Sequence, residues 1–156
     1  MTEPTTSLRP TEFEPFYLRT WDDVYRTLAL VTGHLDIARE ATDEAMARAL
    51  QRWDRVSSYN NPEGWVYTVA LNWARSQLRR RRVRLVAEVA VWDPMPNDPS
   101  LMRAIERLPR AQREVVVLKF VHDWSERQIA DTLGIRPGTV KSRLHRALAS
   151  LREDLS

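Results

Sequence analysis

The chain contains no cysteine, and this absence excludes several kinds of site. Without thiols it can form no disulfide, no cysteine-ligated zinc site and no cysteine nucleophile. Its three histidines, His34, His122 and His145, are scattered, and no cluster of His, Asp and Glu has the spacing of metal ligands. We therefore expect no metal, no other cofactor, no catalytic residue and no enzyme activity. A small nuclease is the least favoured alternative.

Long apolar segments are absent too, and none approaches the roughly 20 residues of a membrane span. The N-terminal stretch "MTEPTTSLRP" lacks the apolar core of a signal peptide. We expect no membrane insertion and a cytoplasmic location. The net charge of +3 is only mildly basic, so the distribution of cations matters more than their excess.

Glycine is scarce, with four residues in the chain, and no run of alternating apolar residues bounded by turns is present. Helical periodicity of apolar residues instead covers residues 13–85 and 101–156. The polar residues 1–12 predict a disordered lead. Residues 86–100 hold three prolines and three acids but no basic residue, which predicts a flexible acidic linker. The predicted fold is all-α, with two small helical domains joined by this linker.

A helix-turn-helix is predicted within "SERQIADTLGIRPGTVKSRLHRAL". Ser125 is a favourable N-cap, and Gln128 stands three residues later, as in a capping box. Gly134 can end the first helix with a positive φ, and Pro137 suits the first position of a second helix. Two helices separated by such a short glycine-containing turn are typical of DNA-binding domains.

The second helix of this motif is predicted to have one apolar and one basic side. Val140, Leu144, Ala147 and Leu148 share one side at about 100° per residue. Hydroxyl, imidazole and cationic groups on the other side are typical of a helix that reads the major groove. The candidate DNA-binding residues are Arg136, Thr139, Lys141, Ser142, Arg143, His145 and Arg146. A stand-alone helix-turn-helix regulator would also fit this half of the chain.

Four motifs carry a resemblance to a known family. "LPRAQREV" at residues 108–115 and "GTVKSRLHRA" resemble region 4 of the sigma-70 superfamily, in its extracytoplasmic-function (ECF) group. "ATDEAMARALQRW" and "NPEGWVYTVALNWARSQLRRRR" resemble sigma region 2, in the family's order. The resemblance implies a sigma factor that binds core RNA polymerase and directs promoter-specific initiation. The C-terminal domain would read the −35 element, and the N-terminal domain would read and help to melt the −10 element.

The resemblance assigns −10 binding to the helix that starts near Asn61 and Pro62 and to the loop before it. Aromatic side chains and cations together are suited to hold unstacked single strands. The implied −10 residues are Ser58, Tyr59, Asn60, Trp65, Asn72, Arg75, Arg79 and Arg80. Two other interpretations stay open. Trp65 and Trp73 could pack in the core. The arginine run at the end of this helix, at positions 79, 80, 81, 82 and 84, could be a solvated helix end.

An acidic face and an apolar stripe are predicted on the helix that covers residues 36–53. The apolar stripe contains Met46, Ala49, Leu50 and Trp53. The acidic face, which could also be merely solvated, contains Asp36, Glu40, Asp43 and Glu44. The resemblance implies that this face docks on the β′ clamp helices of polymerase, although Asp43-Glu44 replaces the family's frequent Gln-Glu pair. It further implies contact with the β flap, with duplex and single-stranded promoter DNA, and with an anti-sigma protein.

Overall fold

The computed structural model describes residues 8–81 and 98–156, and every regular element within these ranges is a helix. The predicted all-α class is confirmed. The first unit contains α1 (Leu8–Thr32), α2 (Leu35–Gln51), α3 (Trp53–Val56) and α4 (Pro62–Arg81). The second contains α5 (Pro99–Arg107), α6 (Arg110–Phe120), α7 (Glu126–Leu133) and α8 (Pro137–Leu155). Within the described ranges, no helix is long and apolar enough to cross a membrane.

The first unit is a bundle in which α2 lies between α1 and α4. Small residues let the helices approach closely, because Ala38, Ala41, Ala45 and Ala49 of α2 are all buried. At one end, the ring of Phe16 lies 4.9 Å from that of Trp53, and Phe13 meets the same tryptophan edge-on. A bundle held by so many fully buried side chains gives α4 a fixed position.

The predicted apolar stripe of α2 is correct except at Leu50. Met46, Ala49 and Trp53 are buried, but the Leu50 side chain is 50% exposed. The buried stripe of α2 passes through Ala49, and Leu50 lies about 100° further round the helix, on the solvent side. Trp53 is buried for a separate reason, since α2 ends at Gln51 and the tryptophan begins the short helix α3.

Two helix starts differ from the predicted boundaries. Helix α1 begins at Leu8, inside the segment predicted as a disordered lead. Proline is tolerated in a first turn, so Pro10 does not prevent this start. Helix α5 begins at Pro99, two residues before the predicted start of the second domain at residue 101, because Asp98 caps it by accepting from Ser100 N and Leu101 N. The rest of the predicted linker, together with Arg82 and Arg84, falls in residues 82–97, which lie outside the described part of the chain.

The second unit contains the predicted helix-turn-helix, formed by α7 and α8. The Ser125 side chain accepts from Gln128 N, and the Gln128 side chain accepts from Ser125 N, which completes the capping box. Gly134 ends α7 with a φ of 67°, and Pro137 stands in the first turn of α8. Ile129 of α7 is fully buried with Val140 and Ala147 of α8. These contacts set the orientation of α8.

Candidate nucleic-acid and protein-binding surfaces

Helix α8 has an apolar side in the core and a polar side in solvent. Val140, Leu144 and Ala147 are buried, as predicted. Of the predicted −35 residues, Arg136, Lys141, Ser142, His145 and Arg146 are exposed, while Thr139 and Arg143 are half-buried. The structure therefore brings the seven candidates together at and around the exposed side of one helix.

Two side chains of this surface have partners within the protein. The Ser142 hydroxyl donates to Gly138 O at 2.9 Å, so its remaining capacity toward a ligand is as an acceptor. Lys141 Nζ lies 4.0 Å from Glu126 Oε2, across the helix-turn-helix. That ion pair is largely exposed, so it is weak, and Lys141 can exchange the carboxylate for another anion.

The start of α4 and the loop before it form the predicted −10 surface. Asn61 Oδ1 accepts from Gly64 N at 3.0 Å, which caps the helix as expected. The loop residues Ser58, Tyr59 and Asn60 are exposed. On the helix, Asn72, Arg79 and Arg80 are exposed, whereas Trp65 and Trp73 are half-buried against the core. Both tryptophans thus contribute to packing, as one of the open interpretations held.

Arg75 is a predicted −10 residue that forms an ion pair with the second unit. Its Nη2 atom lies 3.0 Å from Oε2 of Glu114, on α6 of the second unit. The Glu114 side chain is only 3% exposed, and the Arg75 side chain is 42% exposed. Burial raises the pKa of Glu114, while the charge of Arg75 and its hydrogen bond act in the opposite direction.

Glu114 was not predicted from the sequence as a functional residue, although a signal for it existed. It is one turn before the buried Leu118 and directly before three buried valines of α6. An acid on the buried side of a helix needs a cationic partner, because an unpaired buried carboxylate is costly. The sequence could have predicted such a partner, but not that Arg75, 39 residues away, would supply it.

A cleft of about 490 Å³ separates α7 from the predicted −10 loop. Tyr59, Asn60 and Trp65 line one wall, and Arg127 and Gln128 line the other. At the base of this cleft, Thr68 Oγ1 donates to Thr132 O at 3.1 Å. Within the two described ranges, no group of three or more His, Asp or Glu could hold a metal ion.

The four acids of the predicted polymerase-binding face lie on the outside of α2. Glu40 Oε2 accepts from Arg81 at 2.9 Å, and the same arginine lies 3.8 Å from Asp36. Asp43 accepts from Trp21 Nε1 at 2.9 Å, and Glu44 pairs with Arg48 at 3.0 Å. The face therefore has its own intramolecular cations and donors, most of them exposed and exchangeable.

Comparison with known proteins decides which family this arrangement represents. The family model for sigma-70 region 2 matches residues 16–84, and the model for sigma-70 region 4 matches residues 99–151. The chain belongs to the sigma-70 family. Its relatives place it in the ECF group: it is 30% identical over 142 residues to the ECF RNA polymerase sigma factor SigL of Mycobacterium tuberculosis, covering 83% of this chain and 80% of SigL.

Other sigma factors are similar over almost the whole chain. The sigma-E factor of Streptomyces avermitilis is 34% identical over 154 residues, which cover 92% of this chain and 85% of that protein. Among solved structures, the sigma factor RpoE from Bartonella quintana, crystallised with the anti-sigma factor NepR, has the same fold. It aligns with a TM-score of 0.80 and 24% identity, covering 92% of this chain and 96% of RpoE. Sigma factors are transcription initiation factors rather than enzymes.

Proposed function

We propose that this ECF sigma factor binds core RNA polymerase and directs it to promoters by reading the −35 and −10 elements. The exposed polar side of α8 is the observation that carries the proposal. It combines Arg136, Lys141 and Arg146 with His145, while the opposite side of the helix is anchored in the core. Such a rigid helix can enter a major groove and bond to base edges and phosphates.

The first unit would act on the −10 element. Tyr59 offers a 44% exposed ring in the loop, and Asn72, Arg79 and Arg80 offer hydrogen bonds and positive charge along α4. Opening a duplex costs on the order of 1.4 kcal/mol per base-pair step in stacking. Stacking of displaced bases on aromatic rings, with cations along the backbone, would offset part of that cost.

The acidic face of α2 would dock on the β′ clamp helices, and the second unit would contact the β flap. The position of the acids supports this role, because Asp36, Glu40 and Asp43 are exposed on a helix whose other side is buried in the bundle. Acids of this kind raise the rate and specificity of association with a basic partner. Polymerase would supply all the chemistry.

An anti-sigma protein is a further proposed partner. The Bartonella RpoE structure holds one, and the family resemblance implies one for this chain. Co-purification of this protein with a regulator from its source would support the proposal. Constitutive activity, with no such inhibitor recovered, would contradict it.

The decisive experiment is transcription by sigma-free bacterial core polymerase on sheared DNA from the same source. We expect discrete start sites that depend on the added protein, and the aligned upstream sequences would give both promoter elements. Start sites that do not depend on the protein would contradict the proposal. Specific duplex binding without any core binding would favour the stand-alone regulator.

A further inference from the structure

Arg81, the last residue of α4, contacts the acidic face of α2. Its Nη2 atom lies 2.9 Å from Oε2 of Glu40, and its Nη1 atom lies 3.8 Å from Oδ2 of Asp36. The two acids stand one turn apart on the same side of α2, so one guanidinium spans both carboxylates. Arg81 and Glu40 are 41 positions apart in the chain, so no local pattern predicted the pairing.

The charges of this contact lie at helix ends that favour them. Arg81 is in the last turn of α4, and Asp36 is in the first turn of α2. A helix dipole is negative at its C-terminal end and positive at its N-terminal end, so each helix stabilises the charge that it carries there. The guanidinium is therefore held beside the acids, although all three side chains are exposed.

The other two acids of the face are engaged in a different way. Asp43 accepts from the indole N–H of Trp21, a neutral donor that leaves the negative charge uncancelled. Glu44 pairs with Arg48, which belongs to the same helix and moves with it. Arg81, by contrast, brings a positive charge to the face from another helix, and this charge lies between two of the acids that a partner would use.

A basic partner that docks on this face meets acids that are already paired. Its cations must displace the guanidinium from Glu40 and Asp36, and the charge of Arg81 repels them as they approach. Exposed ion pairs are weak and exchange readily. Arg81 therefore does not prevent docking, but it lowers the affinity by the free energy of the pairs that the partner replaces.

We propose that Arg81 is an internal competitor for the acidic face of α2, and that it sets the affinity of this sigma factor for core polymerase. The inference rests on the proposed function and adds to it a residue that determines affinity at the same face. The guanidinium occupies the place of a polymerase cation in the free protein. The chain therefore binds core polymerase less tightly than its acids alone would allow.

Arg81→Gln tests the competition, because it removes the charge and keeps a polar side chain at this position. The measurement is the equilibrium affinity of the full chain for sigma-free core polymerase without DNA, so that the neighbouring −10 residues do not contribute. We expect the affinity to rise about two- to fivefold, the range of an exposed ion pair. Arg81→Lys, which keeps the charge, should bind nearly as the unmodified protein does.

Two controls separate the competition from a general effect of net charge. Arg55→Gln removes an exposed arginine from α3, which follows the opposite end of α2, and it changes the net charge equally. We expect it to gain less affinity than Arg81→Gln, and the difference should shrink as salt screens the charges. In a Glu40→Gln background, Arg81→Gln should give little gain, because the carboxylate with which Arg81 pairs is absent.

The opposite results would overturn the proposal. A lower affinity of Arg81→Gln would show that the arginine positions the acids for the partner, and an unchanged affinity would show that it does not compete. Equal gains for the Arg81 and Arg55 variants would assign the effect to net charge. Absence of core binding by the unmodified protein would instead overturn the proposed function, so the two failures are distinguishable.

Discussion

Helices α8 and α4 carry the two predicted nucleic-acid surfaces, but they present them differently. On α8, one side is buried and the candidate residues lie mainly on the exposed side. On α4, the candidates are divided between exposed positions such as Asn72 and positions that face the second unit, such as Arg75. The α8 candidates are thus mainly open to solvent, whereas Arg75 on α4 is engaged by an acid of the second unit.

The difference has a physical origin in how each surface is built. The α8 surface depends on contacts between residues close in sequence, since α7 and α8 are joined by a short turn and share Ile129 and Val140 in one core. The α4 surface depends on Glu114, which is 39 residues away and belongs to another unit. A local motif is fixed by the folding of its own domain, while a distant contact also depends on how the two units pack against each other.

The largest expected effect comes from loosening α7 from α8. Ile129 of α7 is fully buried, so Ile129→Ala removes apolar contacts and leaves a cavity. We expect the free energy of unfolding to fall by about 2–5 kcal/mol, measured by urea denaturation followed by helical circular dichroism. Leu50→Ala is the matched control, since Leu50 is 50% exposed, and it should change stability by less than about 0.5 kcal/mol. Equal costs for the two variants would contradict the packing described.

The next effect concerns what α8 reads. Arg146 is exposed on its polar side, and Arg146→Ala should remove about 1–3 kcal/mol of discrimination between bases at one −35 position if the guanidinium reads a base. The measurement is the affinity of the complex with core polymerase for promoters that differ at each −35 position. Arg152→Ala, an exposed cation further along the same helix, is the control. An equal loss on every sequence would assign Arg146 to a phosphate instead.

Much of the α8 surface could be predicted from sequence, for reasons visible in particular residues. Ser125, Gln128, Gly134 and Pro137 each act through backbone geometry within a few residues, and each has its predicted role. At the start of α4, Asn61 likewise caps the helix and Pro62 is its first residue, as predicted. These signals need no knowledge of what the rest of the chain contacts.

The residues that the sequence did not reveal depend on tertiary contacts. Leu50 fits a helical stripe by spacing, but its burial depends on where the neighbouring helices pack. Arg75 fits a −10 residue by resemblance, but its pairing depends on the approach of α6. No local pattern encodes the distance between segments so far apart in the chain.

A smaller effect on stability, with a clear effect on association, is expected at the acidic face. Glu44 pairs with Arg48 one turn away, and exposed pairs of this kind contribute about 0.3–0.5 kcal/mol. Glu44→Lys should therefore leave the free energy of unfolding nearly unchanged. It should weaken core polymerase binding several-fold, because it places a cation against a basic partner. Glu14→Lys, an exposed site on α1, is the control, and equal core affinity for both variants would refute the role of this face.

The smallest effect concerns the pH dependence of another contact between the two units, the hydrogen bond between the side chains of Thr27 and His122. Burial lowers the pKa of His122, and the carboxylates of Asp23 and Glu63 only partly oppose this. The folded protein thus favours the neutral imidazole that contacts Thr27, while the unfolded chain binds a proton near the ordinary value of 6.5. Since the unfolded state takes up the proton first, stability from His122 is present above that value and is lost as the pH falls below it.

His122→Gln removes this titration while keeping a polar group that can reach Thr27. We expect the melting temperature of the unmodified protein to fall more than that of the variant between about pH 7.5 and about pH 5.5, where histidine changes charge. Calorimetry of both proteins at the two pH values measures the difference. An identical decrease in both would show that His122 is equally protonated in the folded and unfolded chains. Burial of the imidazole would then not lower its pKa, and this prediction would be wrong.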